Sequence, residues 1–243
     1  MSHPSGQTFL RFENIWRSYG EGEARVDALA GADFSISKGE FVAITGPSGS
    51  GKSTAMNILG CLDRPTSGIH RFLETDAGEL DRDARADLRN THIGFVFQGY
   101  NLLPRTTALE NVELPLTYRG MPFKKRRELA LEALEKVGLA GRERHMPHQL
   151  SGGQQQRVAI ARAIVSTPTL LLADEPTGNL DTARSHEIMG LLVDLNRSVG
   201  MCIVVVTHEE DIASFASRRI GFSDGQIVHD SALQAGGQCS CRT

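Results

Sequence analysis

The chain of 243 residues lacks any apolar run near the roughly 18 to 20 residues needed to cross a bilayer. Its longest such runs, 170–173 and 201–206, have the length of strands. The first residues, Met-Ser-His-Pro-Ser-Gly, lack a charged segment followed by an apolar one, so no secretory leader is expected. There is no surplus of basic charge. With 26 Lys and Arg against 29 Asp and Glu, the net charge is −3 and the pI about 6.2, which leaves no global electrostatic case for nucleic acid, and no nucleic-acid partner is expected. Cysteine is scarce. Cys61 and Cys202 sit within apolar segments and read as small core residues, while Cys239 and Cys241 fall in a polar tail without a second ligand pair for a metal. No internal repeat or low-complexity block is present. What remains, 40% hydrophobic content, suffices for one domain with or without an inserted subdomain.

Glycine, by contrast, is placed at short intervals after an apolar stretch. Residues 41–45 have the β-branched, apolar look of a buried strand. They run into Gly46-Pro47-Ser48-Gly49-Ser50-Gly51-Lys52-Ser53-Thr54, and residues 55–62 then carry helix-compatible spacing. Strand, glycine turn and helix together form the context that a nucleotide-phosphate cradle requires. Gly46, Gly49 and Gly51 let the backbone take positive φ and turn its N–H groups inward, and their missing side chains let phosphate oxygens approach. Lys52 supplies a point charge for the terminal phosphates, and Ser53 a hydroxyl for a magnesium ion, at the positive end of the helix.

Upstream, 9–18 and 30–36 read as strands of an antiparallel layer beside the main sheet. Downstream come a turn over 63–68, a short strand over 69–73, and a charged loop with an exposed helix over 76–89. A compact apolar strand follows at 93–97. From 99 to 165 strand signals vanish, and helical patterns over 107–118, 124–137 and 154–164 predict a helical insertion. Lys124-Lys125-Arg126-Arg127 opens one of these helices and reads as a solvated face. Strands return at 169–173 and 201–206, separated by a helix over 183–197, the spacing of a right-handed parallel crossover. A hairpin split by Asp224-Gly225 closes the pattern at 221–229. The fold class is α/β with a mainly parallel central sheet, an antiparallel β layer and a helical insert.

In an open parallel sheet the ligand lies off the carboxyl ends of the strands, so polar residues that end apolar strands are candidates. Gln98 ends 93–97, Asp174 and Glu175 end 170–173, and His208 follows 201–206 and Thr207. Asp174 can orient a magnesium ion, and Gln98 can contact both ion and water. Glu175 can align the water that attacks the γ-phosphate or take its proton. His208 can donate to the γ-phosphate or orient Glu175. A second glycine-bearing helix start lies at Leu150-Ser151-Gly152-Gly153-Gln154. Ser151 suits an N-cap, and Gly152 and Gly153 leave the first helical N–H groups open to an anion. It is either only a cap or a site for the nucleotide of another copy, and the residues leave both open.

Taken together these motifs resemble the ATP-binding-cassette (ABC) ATPase family. Gly46 to Ser53 is similar to its Walker A loop, Gln98 to its Q-loop, Leu150 to Gln154 to its LSGGQ signature, Leu170 to Asp174 with Glu175 to its Walker B strand, Asn179-Leu180-Asp181 to its D-loop, and His208 to its switch histidine. The resemblance covers residues from about 9 to 230 and implies a P-loop ATPase using ATP and Mg2+. It also implies a RecA-like core with its antiparallel layer over 1–98 and 167–230 and a helical signature subdomain over 99–166; the remaining tail, 231–243, is expected from its own residues to be disordered. It further implies a head-to-tail dimer in which Ser151, Gly152, Gly153 and Gln154 of one copy meet the γ-phosphate held by Lys52 of the other. Tyr19, at the family's adenine-stacking position, would stack on the base. Wording such as Ile93-Gly94-Phe95-Val96-Phe97-Gln98 and Pro176-Thr177-Gly178-Asn179-Leu180-Asp181 is similar to the lipoprotein-releasing, macrolide-exporting and cell-division cassettes (LolD, MacB and FtsE). That likeness implies a free-standing subunit on the cytoplasmic face of the inner membrane, powering a separate permease. The alternative it carries is a non-transporting regulator of cell-wall hydrolases. Phe222-Ser223-Asp224 and the segment 71–80 depart from the subgroup's usual wording.

Overall fold

The computed structural model describes residues 8–232. In chain order these form β1 (Thr8–Tyr19), β2 (Val26–Ser37), β3 (Phe41–Thr45), α1 (Lys52–Leu59), β4 (Ser67–Phe72), β5 (Thr75–Asp76), α2 (Arg82–His92) and β6 (Ile93–Phe97). Then follow α3 (Ala108–Tyr118), α4 (Phe123–Lys136), α5 (Gly152–Ile164), β7 (Leu170–Asp174), α6 (Thr182–Val199), β8 (Cys202–Val206), α7 (Glu210–Ala213), β9 (Arg218–Ser223) and β10 (Gln226–Asp230). The tail expected to be disordered lies, from 233 on, outside the described residues, as do Cys239 and Cys241. Cys61 and Cys202 are buried, as expected of core residues. Among the described residues no helix is long and apolar enough to cross a membrane.

The chain divides into two units, one running up to Arg85 and resuming at Val204, the other Ala86–Ile203. In the first, β1 and β2 pair antiparallel, with β4 and β5 beyond β1, which is the expected antiparallel layer. Its alternation buries Phe9, Phe12, Ile15, Leu29, Ile36 and Phe72. Phe9 meets Phe72 edge-on at 5.1 Å between centroids, and Phe12 lies 4.8 Å from Phe34. The same unit pairs β3 with β9 in parallel and β9 with β10 antiparallel. The closing hairpin is therefore part of the sheet that carries the glycine loop. In the second unit β6 and β7 run parallel, and α3, α4 and α5 pack together as the helical insert. The division falls within β8; Cys202 N–H donates to Thr169 O, and Thr207 N–H, just past the strand, donates to Ile44 O.

Local chemistry explains where the helices begin. Thr107 and Glu110 form a capping box at α3, and buried Asn111 donates to Thr106 Oγ1 and accepts from Leu103 N–H. α1 starts at Lys52, three residues earlier than its apolar spacing suggests, because the glycine turn itself supplies the entry. The basic run at the start of α4 is only partly a solvated face. Arg126 turns inward to Glu113, Nε 3.5 Å from Oε2, with the glutamate side chain just 8% exposed. That leaves Lys124, Lys125 and Arg127 exposed.

His70 on β4 is 1% exposed beneath Phe12, with its ring 5.1 Å away, and its Nε2 has no hydrogen-bond partner. Burial pushes its pKa down to about 4, against 6.5 in an open chain. The unfolded chain then binds more protons below pH 6.5, so stability is full above that pH and falls as pH drops towards 4. Between pH 7 and 5 this histidine should remove about 2 kcal/mol of unfolding free energy. Urea titrations of the wild type should show that loss, and His70→Phe should flatten it. An unchanged slope in the variant would contradict the assignment.

Candidate functional site

The glycine loop leaves β3 at Thr45 and enters α1 at Lys52. Gly46, Gly49 and Gly51 have φ of 144°, 79° and 101°, as expected of a turn that folds its backbone inward. Two of these glycines are required by neighbouring protein as well. A Cβ on Gly46 would lie 2.2 Å from Phe222 O, and one on Gly51 would lie 2.5 Å from Ala28 O; at Gly49 nothing lies within 4 Å. The β9–β10 turn braces the loop directly. Asp224 and Gly225 both have positive φ, the pairing a tight hairpin turn demands, and Gly225 N–H donates to Ser50 O at 3.0 Å. Ser50 is buried, while Pro47, Ser48 and Gly49 are exposed.

Lys52 is 8% exposed, and its Nζ donates to Gly46 O at 2.8 Å and Pro47 O at 2.7 Å. The ammonium is thus held over the loop at the start of α1, where the helix dipole also favours an anion. Ser53 is exposed and Thr54 half-buried in the first turn of α1. His208 belongs to this unit as well. It is exposed immediately after Thr207, which is bonded to Ile44, two residues before Gly46. Tyr19 closes β1 and is 41% exposed.

The second unit gathers the other candidates. Phe97 and Asp174 are register partners, so Gln98 and Asp174 stand at the ends of adjacent strands. Gln98 Nε2 lies 2.6 Å from where a Cβ on Gly178 would be, and Gln98 O accepts from Asn179 Nδ2 at 2.9 Å. Glu175 has φ of 43°, a left-handed conformation that is strained for a glutamate. Ser151 caps α5 reciprocally with Gln154: Gln154 N–H donates to Ser151 Oγ, and Ser151 N–H donates to Gln154 Oε1. The cap therefore uses the amides of Ser151 and Gln154 and not those of Gly152 and Gly153. Oxygen donors of the kind offered by Ser53, Gln98 and Asp174 fit a hard cation such as Mg2+.

Sequence reasoning missed how α5 ties these pieces together. Gln156, fully buried, donates from Nε2 to Pro176 O at 2.6 Å, directly after Glu175. Arg162 donates to Asn101 O at 2.6 Å and Tyr100 O at 2.9 Å, clamping two left-handed residues that follow Gln98. Tyr100 Oη lies 2.8 Å from where a Cβ on Gly152 would be. The consecutive positive-φ residues could not be read from side-chain pattern, and the partners of Gln156 and Arg162 are 20 and about 60 residues away.

Residues 29–178 match the ABC transporter family model. The chain belongs to that family. The cassette is 52% identical over 230 residues, 95% of its length, to the macrolide export ATP-binding/permease protein MacB of Marinobacter nauticus, of which it spans 36%. It is also 52% identical to the ABC transporter ATP-binding protein YvrO of Bacillus subtilis, with 91% of this chain and 96% of that relative covered. Among solved structures, the cassette MJ0796, a dimer in a post-hydrolysis state with ADP and Pi bound, superposes with a TM-score of 0.84. It shares 46% identity, over 92% of this chain and 98% of that one. The expected α/β ABC-type fold is borne out, and the cassette is an ATP-binding ATPase.

The asymmetry among the loop glycines gives a direct test. Without nucleotide, Gly46→Ala and Gly51→Ala should each cost about 3 kcal/mol of stability, and Gly49→Ala only the ~1 kcal/mol of its positive φ. Equal losses in thermal or urea unfolding at all three positions would contradict the bracing described.

Proposed function

We propose that this cassette is the motor subunit that couples ATP hydrolysis to an inner-membrane permease of the FtsX/MacB type, releasing lipoproteins or exporting hydrophobic substrates. The observation that carries this reading is the 52% identity, over 95% of the chain, to a protein named for macrolide export. Likeness to pyoverdine export proteins of Pseudomonas, at 52–53% identity, points the same way. The Bacillus subtilis relatives, covered over 96% and 97% of their length, support a separate subunit; in this reading its permease holds it peripherally on the cytoplasmic face.

In the proposed cycle the loop amides of 46–54 and Lys52 hold the phosphates, and Tyr19 stacks on the base. Ser53, Gln98 and Asp174 would hold Mg2+, which supplies charge neutralisation across the phosphates. Glu175 aligns the attacking water or takes its proton, and His208 donates to the γ-phosphate or orients Glu175. A second copy, head to tail, brings Ser151, Gly152, Gly153 and Gln154 to the same nucleotide. The dimeric cassettes among the structural neighbours support that pairing. The amides of Gly152 and Gly153, outside the capping box, suit the task.

Glu175→Gln should keep ATP affinity within about threefold, lower turnover by about a hundredfold or more, and accumulate an ATP-bound dimer in size-exclusion chromatography. Wild-type turnover in that variant would contradict the role of Glu175. Reconstituted with its permease in vesicles, the wild type should hydrolyse ATP faster and move an apolar or lipidated substrate. Failure of both would contradict the motor role.

A further inference from the structure

Tyr19 is held by more than its strand. Its hydroxyl donates to Asp63 Oδ2 at 2.8 Å, and the Arg17 guanidinium lies over its ring, Cζ 4.4 Å from the centroid. Arg17 Nε donates to the same Oδ2 at 2.9 Å, so one carboxylate oxygen fixes both members of the stack. The Arg17 and Asp63 side chains are 24% and 27% exposed, partly withdrawn from water, where a cation over a ring is held more firmly than at an open surface. Asp63 is itself anchored. Its Oδ1 accepts from Arg64 N–H at 2.8 Å, and its own N–H donates to Asn57 O in α1, the helix that Lys52 begins. The turn that follows is stitched to β1 by Thr66 N–H to Trp16 O and Ser18 N–H to Thr66 Oγ1.

We propose that Arg17 and Asp63 form a seat that makes Tyr19 a base-recognition platform. Arg17 covers one face of the ring, Asp63 fixes its hydroxyl, and the opposite face is offered to the purine of the nucleotide whose phosphates Lys52 holds. This rests on the reading of 46–54 as the nucleotide cradle. Arg17 is a positioning residue: it acts through the ring, by removing the side-chain freedom that Tyr19 would otherwise lose on stacking. Because a ring face is read and not a base edge, ATP and GTP are affected alike. Because Asp63 is bonded to α1 and Lys52 begins that helix, base platform and phosphate cradle lie at the two ends of one helix and the turn that follows it.

The test compares magnesium ATP with magnesium tripolyphosphate, which has phosphates and no base, by calorimetry on the full chain. Tyr19→Ala should weaken ATP by about tenfold or more, and Arg17→Ala and Asp63→Asn by about three- to fivefold, with tripolyphosphate affinity unchanged. Unchanged tripolyphosphate binding also shows that each variant is folded. In a Tyr19→Ala background, Arg17→Ala should add nothing. If Arg17→Ala weakens tripolyphosphate as much as ATP, or costs the same with Tyr19 already removed, the seat is overturned. Lys52→Ala is the control for the cradle: if it leaves both ligands bound as in wild type, the cradle reading fails, and this proposal with it.

Discussion

Backbone pressed on backbone is the constraint on which this molecule depends. Gly46 passes so close to the Phe222 carbonyl, and Gly51 to the Ala28 carbonyl, that neither position has room for a methyl group. Gly225 bonds to Ser50 O on one side and accepts from Ala30 N–H on the other, linking the loop to β2 through the hairpin turn. The loop is thereby held in a high-φ path before any ligand contributes. Preorganisation of this kind lets backbone amides act as an anion site without first paying for order. Lys52, drawn over the loop by two of its carbonyls, places its charge beside the loop backbone.

A second principle operates within the helical unit, where α5 serves as the frame. From one helix, Ser151 caps the glycine-bearing start, Gln156 holds the peptide after Glu175, and Arg162 clamps the carbonyls after Gln98. Ser151 accepts from a backbone N–H, whereas Gln156 and Arg162 each donate to backbone oxygens. Such bonds survive exchange of neighbouring side chains, and they fix strained turns that local propensity would not choose. The left-handed conformation of Glu175 is one such turn.

What was legible in the sequence was whatever is written in contiguous residues. The glycine spacing, the apolar strands ending in Gln98, Asp174 and His208, and the helical stretch between 99 and 165 all follow from local steric and periodic rules. What was not legible depends on partners far along the chain. Arg17, Asp63, Gln156 and Arg162 look like ordinary surface or helix residues until strand register and helix packing deliver carbonyls and rings to them. The Asp224-Gly225 hairpin was readable as a turn, but not as a brace, because that role needs the parallel pairing of β9 with β3. Arg126 shows the same limit: the run of four cations reads as solvated until Glu113 is found beneath it.

The central claim is that each nucleotide site is half-built in one copy and completed by another. Mixing two inactive variants tests it most directly. Lys52→Ala lacks a working cradle and retains the α5 start, whereas Gly153→Asp keeps the cradle and spoils the α5 start. Pairing of the two in a head-to-tail dimer creates one site with both halves intact. The account predicts that ATP turnover, near zero for each variant alone, returns on mixing to a substantial fraction of the wild-type rate. Turnover that stays at the level of the separate variants, while the mixed dimer is shown to form, would contradict it.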